Sequence, residues 1–414
     1  MQRRDLFKLG AASAAGALPL GAAYSASAAT PTAPLKLKIT DITQIRLRVD
    51  KDLGTMDQES ASPPLRYRTS VGGGSIVQIH TNEGIVGMGP GIDPSMLPGM
   101  KALLVGKDPF DITDHALRLY NPGRRGGASV EIALWDIIGK ACNQPLYKLW
   151  DGAVSGVQTS AGHNKVMPYA SQWTVGTPQN RVEMIQRLKA DGWGAIKMRL
   201  GLATLKEDVA LIEAARKAVG DDFIITCDAN KAGPYASSWP AYPWDFNRAV
   251  DTARALRPYN LTWLEEPLPR YDYDQLAQLN HMAAVPIAGG ENNSGINEFL
   301  TVMQKGCFEY VQPEVLGLGP TMLRSIAVLA AAFDIKIVPH AGSRGICQYA
   351  LLHLIASWPH APLMEIIHEP PGTPWETAMA PFENPPTLDK QGYLTAPEGP
   401  GLGVTIKPEY ILKG

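Results

Sequence analysis

The sequence predicts an α/β protein, a barrel of eight parallel strands with helices between them, preceded by a smaller α+β domain. Three observations carry this expectation. From Val166 onward, apolar runs of strand length recur near 166–170, 194–199, 223–228, 261–265, 285–289, 309–313, 335–339 and 363–367. The gaps carry helical periodicity, as at 179–190, 206–219 and 321–333. The runs also end in polar residues: Asp228 closes FIITCD, Glu265 closes LTWLE and Glu291 closes VPIAGGE. Strand and helix alternate in a doubly wound sheet too. The strand count and the polar C-terminal ends favour the barrel, where active sites form at that face.

The N-terminal elements read differently. Arg3-Arg4-Asp5 is followed by an uncharged Ala/Gly/Leu stretch from Leu9 to about Ala23, and Ala26-Ser27-Ala28 offers small residues to a signal peptidase. Residues 1–28 are thus expected to be a twin-arginine leader cleaved near Ala28, giving a periplasmic protein. The apolar core is too short to span a bilayer stably and no Cys follows it for lipidation, so no membrane anchor is expected after processing. Residues 36–155 form the α+β domain. In it 36–49 and 75–81 alternate as strands, and Asn82-Glu83-Gly84 turns the second into a return at 85–89. The Ser/Pro/Gly-rich stretch 51–74 reads as a long loop, a candidate lid. A helix is expected over 128–149, where Val130, Ile132, Ala133, Trp135 and Ile138 recur at helical spacing. The barrel then occupies 160–368, and the Pro/Gly-rich tail 369–414 returns to the first domain.

Composition narrows the function. A hydrophobic content of 45% with 19% charged residues suits an ordinary globular enzyme, and a net charge of -2 gives no electrostatic reason for a nucleic acid or anionic membrane partner. The four cysteines are far apart and lack CxxC spacing; Cys142, Cys227 and Cys347, in apolar contexts, read as small buried hydrophobes.

The strand ends carry the chemistry. Carboxylates on successive strands supply the oxygen ligands that a hard divalent cation such as Mg²⁺ requires. Around Asp228, Glu265 and Glu291 stand Lys197 and Arg199 on one face of the second strand, Asn230, Glu266, Glu314 after the sixth strand, His340 after the seventh, and Glu365 on the eighth.

These residues resemble the enolase superfamily, in its mandelate racemase/muconate lactonizing branch, over nearly all the chain after the leader. The likeness rests on the hairpin at 76–89, on LLVGKDP from Leu103, on ALWDIIGK from Ala133, on Asp228-Ala229-Asn230, on Trp263-Leu264-Glu265-Glu266-Pro267 and on Gly289-Gly290-Glu291. The fold it implies is a modified (β/α)7β TIM-type barrel under an α+β capping domain, and the family often assembles as homo-oligomers. The resemblance implies that Asp228, Glu265 and Glu291 bind Mg²⁺, oriented by Glu266 and Asn230. It implies that His340 and Glu314 form a His–carboxylate dyad, although the family usually has Asp at the second position. Glu365 would bind substrate, and Lys197 would hold its carboxylate.

Arg199 departs from the family's Lys-x-Lys pattern. A guanidinium keeps its proton and is a poor base, but it clamps carboxylates and hydroxyls. One base, His340, then stands without a partner on the opposite face. That equipment suits syn dehydration of an acid sugar through an enediolate, giving a 2-keto-3-deoxy acid. The alternatives are a cycloisomerase or epimerase using the same intermediate, or a sugar-acid binding protein without turnover. Arg66, Arg199 and Arg344 are further candidates for substrate contacts, and the segments 51–74 and 232–244 for setting substrate choice.

Overall fold

The computed structural model describes residues 36–58, 65–120, 126–150, 164–174, 176–233 and 243–413. The expected leader and most of the 232–244 segment lie outside them. Five strands come first: β1 (Ile39–Arg46), β2 (Val49–Gln58), β3 (Leu65–Gly72), β4 (Ser75–Thr81) and β5 (Val86–Pro90). β1, β4 and β5 form an antiparallel sheet. Its apolar face, with Ile42, Val77 and Ile79, packs on Val130, Leu134 and Ile137 of a buried helix.

The segment expected to be a loop at 51–74 is instead largely a hairpin, with β2 antiparallel to β3. Residues 49–52 are all exposed, so neither face of β2 is buried there and no alternation marks the strand in the sequence. Gly54, at φ +89, sits at one of its two register shifts.

The helices of this region are α1 (Leu97–Leu104), α2 (Ile112–Leu119), α3 (Gly126–Ala141) and α4 (Leu146–Trp150). The single helix expected over 128–149 is therefore two. Asn143 adopts a left-handed conformation at φ 51, and Pro145 has no N–H to continue the ladder. Cys142 lies in this break and is exposed, contrary to the expectation of burial; Cys227, Cys307 and Cys347 are buried.

The barrel follows. A two-residue strand β6 (Lys165–Val166) precedes β7 (Pro168–Ser171), β8 (Ala195–Arg199), β9 (Ile224–Asp228), β10 (Leu264–Glu265), β11 (Ile287–Gly289), β12 (Tyr310–Val311), β13 (Lys336–Ile337) and β14 (Met364–Ile367). Among the described residues the last eight form one sheet in the order β13-β12-β11-β10-β9-β8-β7-β14. Its pairs are parallel. The returns are α5 (Pro178–Ala190), α6 (Leu205–Val219), α7 (Phe246–Leu256), α8 (Tyr273–Met282), α9 (Gly295–Lys305), the short α10 (Val315–Leu318) with α11 (Pro320–Ala332), and α12 (Ile346–Ala356). This is the (β/α)7β barrel with its α+β cap.

Start signals are visible in the helices. Thr204 and Glu207 form a reciprocal capping box on α6, and Thr177 caps α5, which starts at Pro178. Strands β10, β12 and β13 are shorter than their apolar runs. Beyond the paired residues the chain continues through single bonds, such as Gln312 N–H to the Gly289 carbonyl at 3.0 Å and Val338 N–H to the Val311 carbonyl at 2.9 Å.

Aromatic rings fill the barrel interior. Trp263 lies between Tyr169 and Tyr310, with ring centroids 5.6 and 5.1 Å apart. Trp263 sits two residues before Glu265 on the same strand face, so the period of two places a packed floor beneath the polar strand ends. A buried ring of this kind is worth on the order of 3–5 kcal/mol against truncation to Ala.

The tail carries α13 (Trp375–Met379) and β15 (Leu394–Thr395), which pairs with β6. It then meets the cap. Arg48 N–H donates to the Tyr410 carbonyl at 2.7 Å, and Leu412 N–H to that of Arg46 at 3.0 Å. The Asp136 carboxylate on α3, fully buried, accepts from Met88 N–H at 2.9 Å, Leu402 N–H at 2.8 Å and Lys140 Nζ at 2.6 Å. Gly401, at φ +69, passes so close to that carboxylate that a Cβ would collide with it.

Candidate active site

Register brings the polar residues together. Arg199 on β8 stands opposite Asp228 on β9, which stands opposite Glu265 on β10. Glu291 lies two residues past the end of β11 and reaches the same point through a bend at Gly290. There φ is +119 and a Cβ would lie 3.0 Å from the Phe299 ring, so the bend favours glycine. One carboxylate oxygen from each of Asp228, Glu265 and Glu291 lies within 4.8 Å of the others.

Each carboxylate is also held from outside the cluster. Asp228 accepts from the Arg199 guanidinium and, at 2.8 Å, from the backbone N–H of Asn230. Arg199 donates further to the Asn230 side-chain oxygen at 2.5 Å and to the Gln172 carbonyl at 2.7 Å. Glu265 accepts from Lys197 Nζ at 2.9 Å, from Trp263 Nε1 at 3.0 Å and from Gln312 Nε2 at 2.7 Å. Asn292 donates to Glu291 at 2.8 Å. Lys197 Nζ sits 2.7 Å from Glu365 and 3.5 Å from Asp228, above the Tyr169 ring.

On the other side, His340 Nδ1 meets Glu314 Oε2 at 2.5 Å. The extra methylene of Glu, relative to Asp, is accommodated because Glu314 also caps α10. Its Oε1 accepts Leu316 N–H at 2.9 Å and its Oε2 accepts Gly342 N–H at 3.2 Å. His340 Nε2 points inward, 3.3 Å from Glu291 and 3.9 Å from Glu365. Glu365 also accepts Ala341 N–H at 3.0 Å.

Lys197, Asp228 and Glu265 have fully buried side chains, whereas those of Glu291 and His340 are 16% and 18% exposed. The cluster opens toward solvent on the Glu291–His340 side.

Electrostatics follow from this crowding. Burial, reinforced by Asp228 and offset in part by Lys197, pushes Glu265 up to about 8. Burial pushes Glu266 well above the carboxylate range, with Glu291 its largest charged neighbour, and its Oε1 is buried without a hydrogen-bond partner. Burial would lower His340, but Glu291, Glu365 and Glu314 together hold it up at about 10. Burial works against ionised Glu365 as well; Lys197 and His340 more than offset it and hold the carboxyl well below its ordinary value.

The donor set fits a hard divalent cation. It offers three carboxylate oxygens from three strands, and it carries the like-charge repulsion that a dication would relieve. Asp228, Glu265 and Glu291 would hold it.

Lys197, Arg199, Asp228, Glu265, Glu291, Glu314, His340 and Glu365 thus converge on one site, whereas the further substrate-contact candidates Arg66 and Arg344 are not among them. Arg344 stands apart from the carboxylates, with Nη1 3.3 Å from Thr377 Oγ1, and Arg66 lies on β3 with its side chain outside the described set. Gln312 and Trp263, both donors to Glu265, carried no assigned role in the sequence. The signal for them is periodicity, since Trp263 is two residues from Glu265 and Gln312 two from Glu314.

Fold and site together define an enolase-type barrel, with carboxylates gathered at the strand ends beneath an α+β cap. Residues 180–410 match the family description "Enolase C-terminal domain-like". Residues 67–150 match "Mandelate racemase / muconate lactonizing enzyme, N-terminal domain". The chain belongs to the mandelate racemase/muconate lactonizing family of the enolase superfamily. It is 33% identical over 301 residues to a 3,6-anhydro-alpha-L-galactonate cycloisomerase of Streptomyces coelicolor, covering 71% of this chain and 74% of the relative. It is 29% identical over 322 residues to an L-talarate/galactarate dehydratase of Salmonella typhimurium, covering 74% and 71%. The crystal structure of a racemase from Streptomyces coelicolor with bound magnesium superposes with a TM-score of 0.68 at 26% identity, covering 89% of this chain and 97% of that one.

Proposed function

We propose that the chain is an exported, Mg²⁺-dependent acid-sugar dehydratase that converts a sugar acid to a 2-keto-3-deoxy acid. The observation that carries this reading is the one-sidedness of the site. His340, backed by Glu314, faces the carboxylates from one side, while the opposite strand offers Arg199 already engaged with Asp228 and Asn230.

A bound Mg²⁺ would supply the positive charge that makes a carboxylate's α-proton removable. A cation held by Glu291 would offset the largest charge that keeps His340 protonated, leaving Nε2 to take that proton, while Glu314 at Nδ1 orients the imidazole and stabilises its charged form. Lys197, fixed between Glu265 and Glu365, adds a fixed positive charge beside the reacting carboxylate. The imidazolium then returns its proton to the β-hydroxyl on the same face. The C–O bond breaks, water departs, and the enol ketonises. Arg199 keeps its proton throughout and holds Asp228 in place. A racemase needs a second proton carrier on the other face, and Arg199 is a poor one.

The dehydratase of Salmonella typhimurium supports elimination, and the cycloisomerase of Streptomyces coelicolor supports a second reading, ring opening or closure by the same base. A panel of sugar acids incubated with the protein and Mg²⁺ separates the two. Dehydration is expected to release a 2-keto acid lighter than its substrate by one water. A product of unchanged mass, with deuterium taken up from D₂O, would overturn dehydration in favour of isomerisation. Neither product nor exchange would leave a binding protein.

A further inference from the structure

A cavity of about 360 Å³ lies between the cap and the barrel, within the range of small-ligand sites. From the cap it is walled by the end of β3, by Gly72, Gly73 and Gly74, by the start of β4 and by Pro90 and Gly91. From the barrel side it is walled by Leu316 and by residues 343–346, with Ala378 and Phe382 behind.

Arg344 is the one ionisable side chain among the described lining residues; the others are apolar residues, glycines and the serines Ser70, Ser75 and Ser343. Its Nη1 donates to the neutral hydroxyl of Thr377 at 3.3 Å, and no described carboxylate lies within salt-bridge distance. Burial lowers its pKa with no charged neighbour contributing. A half-desolvated guanidinium in a neutral-walled cavity is a site for an anion.

The cavity adjoins the catalytic dyad. Leu316, in its wall, donates its N–H to Glu314, and Ser343 follows Gly342, which donates to the same carboxylate. Arg344 is four residues beyond His340, a chain length of at most about 14 Å. For a substrate whose reacting carboxylate lies at the metal-ligand cluster and whose α-carbon faces His340, this cavity is the neighbouring space on the Glu314 side.

We propose that Arg344 binds the distal carboxylate of the substrate, so that the enzyme acts on aldaric acids, which carry a carboxylate at both ends, in preference to aldonic acids. This rests on the sugar-acid reading above and specifies its substrate class. Arg344 is a specificity residue that touches the substrate away from the bond being broken.

The test uses matched six-carbon pairs: galactarate with galactonate, glucarate with gluconate, and mannarate with mannonate. Binding is read by calorimetry on the Mg²⁺-loaded His340→Asn protein, with and without Arg344→Leu. At least one diacid is expected to bind on the order of 10- to 100-fold more tightly than its monoacid, a preference that Arg344→Leu abolishes by weakening the diacid alone. Arg344→Lys, as a second variant in case the first fails to fold, is expected to keep part of the preference. Equal affinity within every pair, no binding by any diacid, or an equal loss for both acids in the variants would overturn the proposal. Keto-acid release by the wild type is scored separately. Diacid preference without keto acid sinks dehydration and leaves Arg344 its role, whereas keto acid from monoacids as readily as from diacids does the reverse.

Discussion

Gln312 and His340 approach the same carboxylate cluster and do different things there. Gln312 and Trp263 donate to the Glu265 oxygen that Lys197 leaves free, so they fix a candidate metal ligand. His340 reaches the open side of the cluster, where the proposed reaction has it carry the proton. Gln312→Leu is therefore expected to weaken Mg²⁺ binding by about 10- to 100-fold, read by calorimetry. His340→Asn should abolish turnover at nearly unchanged Mg²⁺ affinity. Substantial residual turnover in His340→Asn, or unaltered metal affinity in Gln312→Leu, would refute the division of labour. The carboxylates and the histidine were legible in the sequence because each ends an apolar run. Gln312 and Trp263 were not, because an amide and an indole inside a strand announce packing as readily as ligand support, and only the shared oxygen on Glu265 distinguishes them.

Among the elements, α3 carries two buried carboxylates, Glu131 and Asp136. Glu131 accepts Thr321 N–H at 2.6 Å at the start of α11, tying cap to barrel, and burial pushes it up to about 7 despite the pull of Thr321. Its ordinary value is 4.5, so between 4.5 and 7 the folded chain binds more protons than the unfolded one. This contribution to stability is complete below pH 4.5 and is lost as pH rises through about 7. Glu131→Gln keeps an acceptor and removes the titration. Between pH 5 and pH 8 the stability of the variant relative to wild type is expected to improve by on the order of 3 kcal/mol in chemical denaturation. A difference that stays constant across that window would mean that Glu131 does not titrate as described. The elements themselves were legible where one face is buried, as in the barrel helices. The β2–β3 hairpin was not, since residues 49–52 are exposed on both faces and leave no period to read. The break in the helix was hidden too, because apolar residues resume at helical spacing after Pro145 while Asn143 turns the chain.

Across the whole molecule, the barrel class followed from eight apolar runs whose polar ends fall on one face, and strand pairing confirms the class. The proposed export of the protein is a separate matter of its first residues. Changing both Arg3 and Arg4 to Lys is expected to leave the protein in the cytoplasm with its leader attached, as read by fractionation and N-terminal mass. Periplasmic release of a chain starting near Ala29 at the wild-type rate would rule out the twin-arginine route. The cap, for its part, is not a module. Leu402 N–H completes the bonds of Asp136, and the backbones at Tyr410 and Leu412 pair with Arg48 and Arg46. Recombining this protein with a relative to exchange substrate preference therefore has two crossover points to satisfy. A chimera that takes a foreign cap but keeps residues 394–413 would set a mismatched tail against a buried carboxylate, so the two ends of the gene have to be inherited together.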